Sequence, residues 1–283
     1  MIKHGKIPWS KLVEYIDMIP HRDIDIVMGP SIGEDAAIIR LRDGFLVAHV
    51  DPITAASKRI GWLAIHIAAN DLAVRGVKPQ WFLVTMLLPG GISDRDIREI
   101  FKDIGEAVKQ LNGVVVGGHT EFTPGIDRPL LIVTAIGYTT GRVLMTRDAR
   151  PGDRVFIIGR IAGEGAGVIA WDFERVLIER GVDKSVIDVA KQYVRDVSVV
   201  DKALLIKDYV NSMHDPTEGG VLQGLREVAL ASNTSIVIDL DNLEIDNVVA
   251  EITSVMGVNP LKLLSSGCLI ATVPEHNVKI IEE

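Results

Sequence analysis

The feature that most constrains this chain is the stretch from Ser57 to Arg75, which is apolar almost all the way round a helix yet carries Asn70-Asp71 near its end. Ile60, Trp62, Leu63, Ala64, Ile65, Ile67, Ala68, Ala69, Leu72, Ala73 and Val74 leave no wide polar face. Such a helix lies in a core or in a subunit interface. Ser57 can cap its start and Gly76 its end. An aspartate is almost never fully buried without a partner, because its charge is costly to take out of water. Asp71 is therefore expected to meet a cation or a buried donor.

Composition narrows the setting. The hydrophobic fraction is 47% but aromatics supply only 5%, so a core of Ile, Val, Leu and Ala is available and disorder is excluded as the main state. At about 150 residues per domain, 283 residues make one large domain or two modest ones. Acidic residues outnumber basic ones 38 to 30, giving a net charge of −8, which argues against a nucleic-acid partner. The single cysteine, Cys268, excludes a disulfide framework and a Cys-cluster zinc site, and fits a reducing cytoplasm. Its apolar β-rich surroundings, Ser265 to Val273, predict an inert structural thiol. The longest run free of charged residues and His, Pro79 to Ser93, is shorter than the roughly 20 residues of a membrane span. No signal-type apolar run opens the chain, so a cytoplasmic protein with no membrane partner is expected.

Along the chain, Pro8 to Ile19 carries helical spacing, and Ala36 to Leu41 and Phe45 to Val50 read as a hairpin around Arg42-Asp43-Gly44. Trp81 to Leu88 reads as a strand, and Ser93 opens an amphipathic helix running to about Leu111. Strands Val114 to Val116 and Leu130 to Tyr138 flank a polar loop, Gly117 to Pro129. Pro151-Gly152 is strong turn punctuation, which places a domain boundary near 149 and two domains at 1–148 and 149–283. The second half alternates helices near 164–180, 184–208, 217–231 and 246–256 with strands near 155–158, 235–239 and 268–273, an α/β layer pattern.

No Walker loop, G-x-S-x-G or H-E-x-x-H is present. Gly163 to Gly167 fails the dinucleotide pattern, since Val168 and Ala170 occupy the third-glycine places; it reads as a tight strand-to-helix connection. What remains is a set of acidic residues beside glycine or inside apolar sequence. Gly33-Glu34-Asp35 precedes a strand, Asp51 ends one, Asp71 sits in the apolar helix, and Gly117-Gly118-His119-Thr120-Glu121 follows a strand. Alone, Gly33-Glu34-Asp35 is an ordinary acidic turn and Asp51 a turn initiator; together with Asp71 and the 117–121 stretch they can assemble a site for a magnesium–triphosphate complex, since Mg2+ takes one or two carboxylates plus phosphate oxygens. Asp215-Pro216-Thr217-Glu218-Gly219-Gly220 precedes a helix, where Asp215 or Thr217 can cap free amides or the helix start can hold a phosphate.

Taken in order, GEDAA at 33–37, Asp51, NDLAVRGVKP at 70–79, GGHTE at 117–121, ARPGD at 149–153, DPTEGG at 215–220 and SSGCLIATV at 265–273 resemble the aminoimidazole ribonucleotide synthetase (PurM-like) superfamily. The resemblance runs over nearly the whole chain. It implies an α/β (α+β) two-domain fold: an N-terminal domain forming a β-barrel across a homodimer, and a C-terminal α/β domain shorter at its end than the family's. It further implies ATP in a cleft near Gly33, Glu34, Asp35, Asp51, Asn70, Asp71, Gly117, Gly118, His119, Thr120, Asp215 and Thr217, with Mg2+ on Asp35, Asp51 and Asp71 and with Glu121 as a further ligand. His119 stands where several members carry an acid. GKIP at 5–8, DPTEGG and SSGCLIATV are most similar to the hydrogenase-maturation HypE type, which dehydrates a carboxamide on its own C-terminal cysteine; Ile281-Glu282-Glu283 carries none. The implied activity is phosphorylation of a carboxamide or carbonyl oxygen on a small molecule or protein thiol, with a maturation protein as a further partner. A kinase of the thiamine-monophosphate type and a non-catalytic nucleotide-binding homodimer are the alternatives.

Overall fold

A computed structural model describes residues 8–21, 23–54, 56, 58–240 and 243–282. The expected cap Ser57, and Gly5 to Ile7 of the GKIP stretch, lie outside the described residues. After α1 (Trp9–Ile16) come β1 (Ile26–Met28), β2 (Ala37–Leu41) and β3 (Gly44–Ile53). β2 and β3 form the expected hairpin, with Leu41 paired to Gly44 across a two-residue turn. The buried helix is α2 (Ile60–Ala73); Arg59 precedes it in the left-handed region and Gly76, with φ of 75°, follows it. β4 (Trp81–Leu88), α3 (Asp94–Gln110) and β5 (Val114–Phe122) make a βαβ unit with parallel strands, and β6 (Leu130–Thr139) runs antiparallel between β3 and β4. Ser93 caps α3 by accepting from the Asp96 amide at 3.1 Å. The sheet order is β1-β2-β3-β6-β4-β5.

Two local expectations change here. The strand from Val114 continues through the anticipated loop to Phe122, so Gly117 to Glu121 are strand residues. The reason is close backbone approach: a Cβ at Gly118 would stand 1.9 Å from the Val84 carbonyl oxygen, so only glycine lets the ladder continue. α2 packs on β3, β6 and α3 and is buried within its own chain, so it needs no subunit interface. Among the exposed apolar residues, Trp81, Leu83, Val114, Val115, Val116 and Phe122 share the neighbouring strands β4 and β5.

The second half contains β7 (Arg154–Ile158), α4 (Gly163–Asp172), α5 (Glu174–Glu179), α6 (Lys184–Gln192), α7 (Val200–Ile206), β8 (Ser212–His214), α8 (Gly220–Ser232), α9 (Asn247–Met256), β9 (Leu269–Val273) and α10 (Val278–Glu282). Its antiparallel sheet runs β7-β9-β8. The helix expected over 164–180 breaks at Phe173, whose φ of −120° leaves the helical region. The one expected over 184–208 breaks around 196–199. Residues 235–239 form no strand. Their alternation turns Ile236 and Ile238 onto the second core and leaves Val237 97% exposed, but no neighbouring strand pairs with them. One core gathers α2, α3 and the large sheet and takes in Met213, Leu269, Ala271 and Val273 from β8 and β9; another lies among α4, α6, α8 and α9. Among the described residues no helix is long and apolar enough to cross a membrane.

Candidate metal and nucleotide site

α2 carries its polar pair into the contact between the two halves. Asn70 donates from Nδ2 to the Val197 carbonyl (2.8 Å) and accepts from the Val199 amide (2.9 Å). Both amide groups are thereby used, and the 196–199 backbone is held out of a helix. This side chain is a staple between halves. Asp71, one residue on, points the other way. Its Oδ2 lies 3.4 Å from His49 Nε2 on β3, and it stands among further acids.

Asp35, from the loop ahead of β2, and Asp215, from the turn after β8, bring carboxylate oxygens to Asp71 with all three atoms within 4.8 Å of one another. His49, Asp51 and Asp71 make a second group within the same limit, with Asp71 in both. Both oxygens of Asp215 are buried and have no hydrogen-bond partner among the described residues. Asp215 therefore does not cap α8, whose preceding residue Gly219 also gives no side-chain cap. Burial and repulsion from Asp215, Asp35 and Asp51 push the Asp71 carboxyl well above its ordinary range. Burial and Asp35 push Asp215 up to about 7. Burial also pulls Asp35 upward, but His214 and Arg75 outweigh it and hold that carboxyl low.

The supporting cations come from residues that the sequence reading left unassigned. Arg75 is completely buried and donates to Glu34 Oε2 (2.8 Å), Asp35, Thr146 Oγ1 (2.8 Å) and the Met213 carbonyl (3.0 Å). Glu34 also accepts from the Thr146 and Arg147 amides, both at 3.1 Å, so it braces the loop rather than facing the acids. His214 stands between Asp35 (Nδ1 to Oδ1, 2.7 Å) and Glu227 (Nε2 to Oε2, 3.0 Å). Burial works against its charge, but the two carboxylates raise it to about 10. His49, missed earlier, had one signal: two residues before Asp51 on a strand, it shares that residue's face.

Beside these acids lies a cleft of about 590 Å3 lined by Asp51, Pro52, Thr54, Glu164, Thr217 and Gly219, with residues from both halves. Glu164 is buried and accepts from the Ser266 amide at 3.1 Å. His119 and Glu121 are not in either acid group. They are exposed on β5, 3.1 Å apart, with Thr123 donating to Glu121 at 2.8 Å. Gly117, Gly118 and Thr120 lie on the same exposed strand, and Gly33, with φ of 71°, turns the loop against the Glu227 backbone. Asp35, Asp71 and Asp215 offer carboxylate oxygens, hard donors of the kind that fit Mg2+, and those of Asp215 are without a hydrogen-bond partner among the described residues.

Residues 33–139 match the family model of the AIR synthase related protein N-terminal domain, and 150–283 that of its C-terminal domain. The chain belongs to the AIR synthase related family. Among its relatives, a hydrogenase expression/formation protein of Methanocaldococcus jannaschii is 27% identical over 256 residues, 87% of this chain and 73% of that one. Carbamoyl dehydratase HypE of Rhizobium leguminosarum is 28% identical over 83% of this chain, which spans 65% of that protein. Thiamine-monophosphate kinase of Pyrococcus horikoshii is 26% identical over 88% of this chain and 79% of its own. Solved structures share the PurM-like fold. AaThiL complexed with AMPPCP and TMP has a TM-score of 0.75 at 22% identity, covering 94% of this chain and 84% of that one. A HypE-HypF complex has a TM-score of 0.74 at 22% identity, covering 97% and 87%. HypE in complex with ATP has a TM-score of 0.66 at 22% identity, covering 86% and 73%.

Proposed function

We propose that this protein is an ATP-dependent enzyme that activates a carboxamide or carbonyl oxygen by phosphorylation, as a HypE-like member of its family. The observation that carries the reading is Asp215: a buried carboxylate with no partner, set against Asp35 and Asp71 beside an open cleft. Such an arrangement is electrostatically costly alone and becomes favourable when a dication fills it. Asp35, Asp51, Asp71 and Asp215 would hold Mg2+, which when bound neutralises phosphate charge and orients the γ-phosphoryl group. Arg75 and His214 hold Asp35 in position from behind. Thr217 and Gly219 line the cleft at the start of α8, whose uncapped amides suit a phosphate.

The relatives named HypE support a substrate carboxamide on a small molecule or protein thiol and a maturation protein as partner. The relative named thiamine-monophosphate kinase supports a second reading, direct phosphorylation of a small alcohol or phosphate. The solvent-facing apolar residues of β4 and β5 are the surface offered to a second copy in a homodimer, and they carry His119 and Glu121 with them. Light scattering at micromolar concentration should give roughly twice 30.8 kDa; a monomer there contradicts the dimer. Product analysis after incubation with Mg–ATP and a metabolite pool separates the activities. ADP plus phosphate with a dehydrated amide supports the first reading, and ADP with a phosphorylated compound the second. No nucleotide binding by calorimetry, with or without Mg2+, refutes both.

A further inference from the structure

We propose that Glu164 and Ser266 are the specificity-determining pair of the cleft, reading an N–H2 group and the acceptor atom beside it on the molecule to be phosphorylated. Primary carboxamides and amino-heterocycles both carry that pattern. The inference deepens the reading above and rests on it only for calling the occupant a substrate. Both residues line the cleft and both are buried. Ser266 Oγ has no hydrogen-bond partner among the described residues. A buried hydroxyl without a partner is costly, and a bound molecule that accepts from it removes the cost. Glu164 spends Oε2 on the Ser266 amide at 3.1 Å, and its Oε1 makes no such bond among the described residues. The pair therefore offers a carboxylate acceptor and a hydroxyl donor from neighbouring positions.

The backbone fixes where the two side chains stand. Hydrogen bonds lace the start of α4 to 264–266: the Ala162 amide donates to Ser265 Oγ (2.9 Å), the Gly165 amide to the Leu264 carbonyl (3.0 Å), and the Ser266 amide to Glu164. A Cβ at Gly165 would stand 2.3 Å from Leu263, so the two segments lie directly against each other. Ala162 enters the helix fully buried in the left-handed region, φ 57°, a strained conformation of the kind held at ligand sites. Around the pair the wall is apolar, with Ile53, Ile67, Val168 and Leu263. About 590 Å3 of apolar lining with a few polar groups is the make-up of a pocket for a small organic molecule. Among the described residues Glu164 belongs to neither acid group around Asp71, which leaves its carboxylate to the substrate. A carboxylate there selects an N–H donor and repels a second anion.

The test uses the full chain with Mg2+. The probes are nicotinamide for the carboxamide, 4-aminopyrimidine for the amino-heterocycle, and nicotinate and pyridine as analogues without the N–H2 group. Saturation-transfer NMR titrations read the affinities. Nicotinamide or 4-aminopyrimidine should bind roughly tenfold more tightly than its analogue, as a hydrogen bond to a charged group implies; whichever gains more identifies the source. Glu164→Gln keeps an oxygen for the Ser266 amide and turns an N–H2 toward the cleft, so nicotinate should gain on nicotinamide by roughly tenfold. Ser266→Ala should weaken both N–H2 probes roughly fivefold without lowering the melting temperature, since the hydroxyl holds no partner in the empty protein. Wild-type protein that does not favour the N–H2 probes overturns the proposal, and no variant is needed for that result. A folded Glu164→Gln protein that keeps the wild-type preference also overturns it. The preference in a protein that never binds ATP would uphold the pair while sinking the nucleotide reading. Mg–ATP turnover without the preference would do the reverse.

Discussion

Asn70→Ala tests how much one side chain contributes to the contact between the two halves. The substitution deletes two hydrogen bonds, from Nδ2 to the Val197 carbonyl at 2.8 Å and from the Val199 amide to Oδ1 at 2.9 Å. Val197 and Val199 are fully buried, so water does not replace the lost partner. A buried backbone group left unsatisfied costs about 1–3 kcal/mol, and two such groups put the loss at about 2–6 kcal/mol. Asn70→Asp separates geometry from chemistry. It keeps an acceptor for the Val199 amide but aims a second oxygen at the Val197 carbonyl, so it should lose at least as much at neutral pH. Equilibrium urea unfolding, followed by tryptophan fluorescence, reads both variants. A change under about 0.5 kcal/mol for Asn70→Ala would refute the staple and return Asn70 to the candidate ligands.

Stability of the metal-free protein should fall as pH rises from about 6 to about 9. Asp215 at about 7 and His214 at about 10, against ordinary values of 3.8 and 6.5, both keep protons longer folded than unfolded. A melting series that rises over this range, or that Mg2+ leaves unchanged, contradicts the charge balance described. Gly118→Ala should disturb the β4–β5 ladder and cost about 2 kcal/mol or more, since its Cβ would meet the Val84 carbonyl oxygen at 1.9 Å; hydrogen exchange along 114–122 matching wild type would refute this. Cys268 is buried and its thiol is pushed up to about 12 by that burial. Cys268→Ala should leave ATP turnover near wild type and cost about 1 kcal/mol of stability, whereas fast labelling of the native thiol with loss of turnover in the variant would revive a thiol mechanism.

Much of the first half was legible because its signals are local. The unbroken apolar run of α2, the 3.6-residue period of α3, the cap Ser93 and the Asp43-Gly44 hairpin each need only their own neighbours in sequence. Asp71 was legible for a different reason: a charge inside apolar sequence demands a partner somewhere. The same logic applies to Arg75, which ends the same apolar stretch, and would have marked it as a buried cation. What no local rule supplies is the identity of partners 71 to 138 residues away, such as Thr146 and Met213 for Arg75 or Val197 for Asn70. Residues 235–239 show the opposite failure. Their alternation is real, but a strand is a pairing, and among the described residues no strand pairs with them.

Arg75 reaches Glu34 and Asp35 from one end of the chain and the Met213 carbonyl from the other, with its side chain fully enclosed. During synthesis, Asp35, Asp51 and Asp71 leave the ribosome long before His214 and Asp215 exist. Until then Asp35 lacks one of its two cations and the acid group lacks its third member. The group of Asp35, Asp71 and Asp215 is thus complete only once the second half has reached Asp215 and has closed on the first.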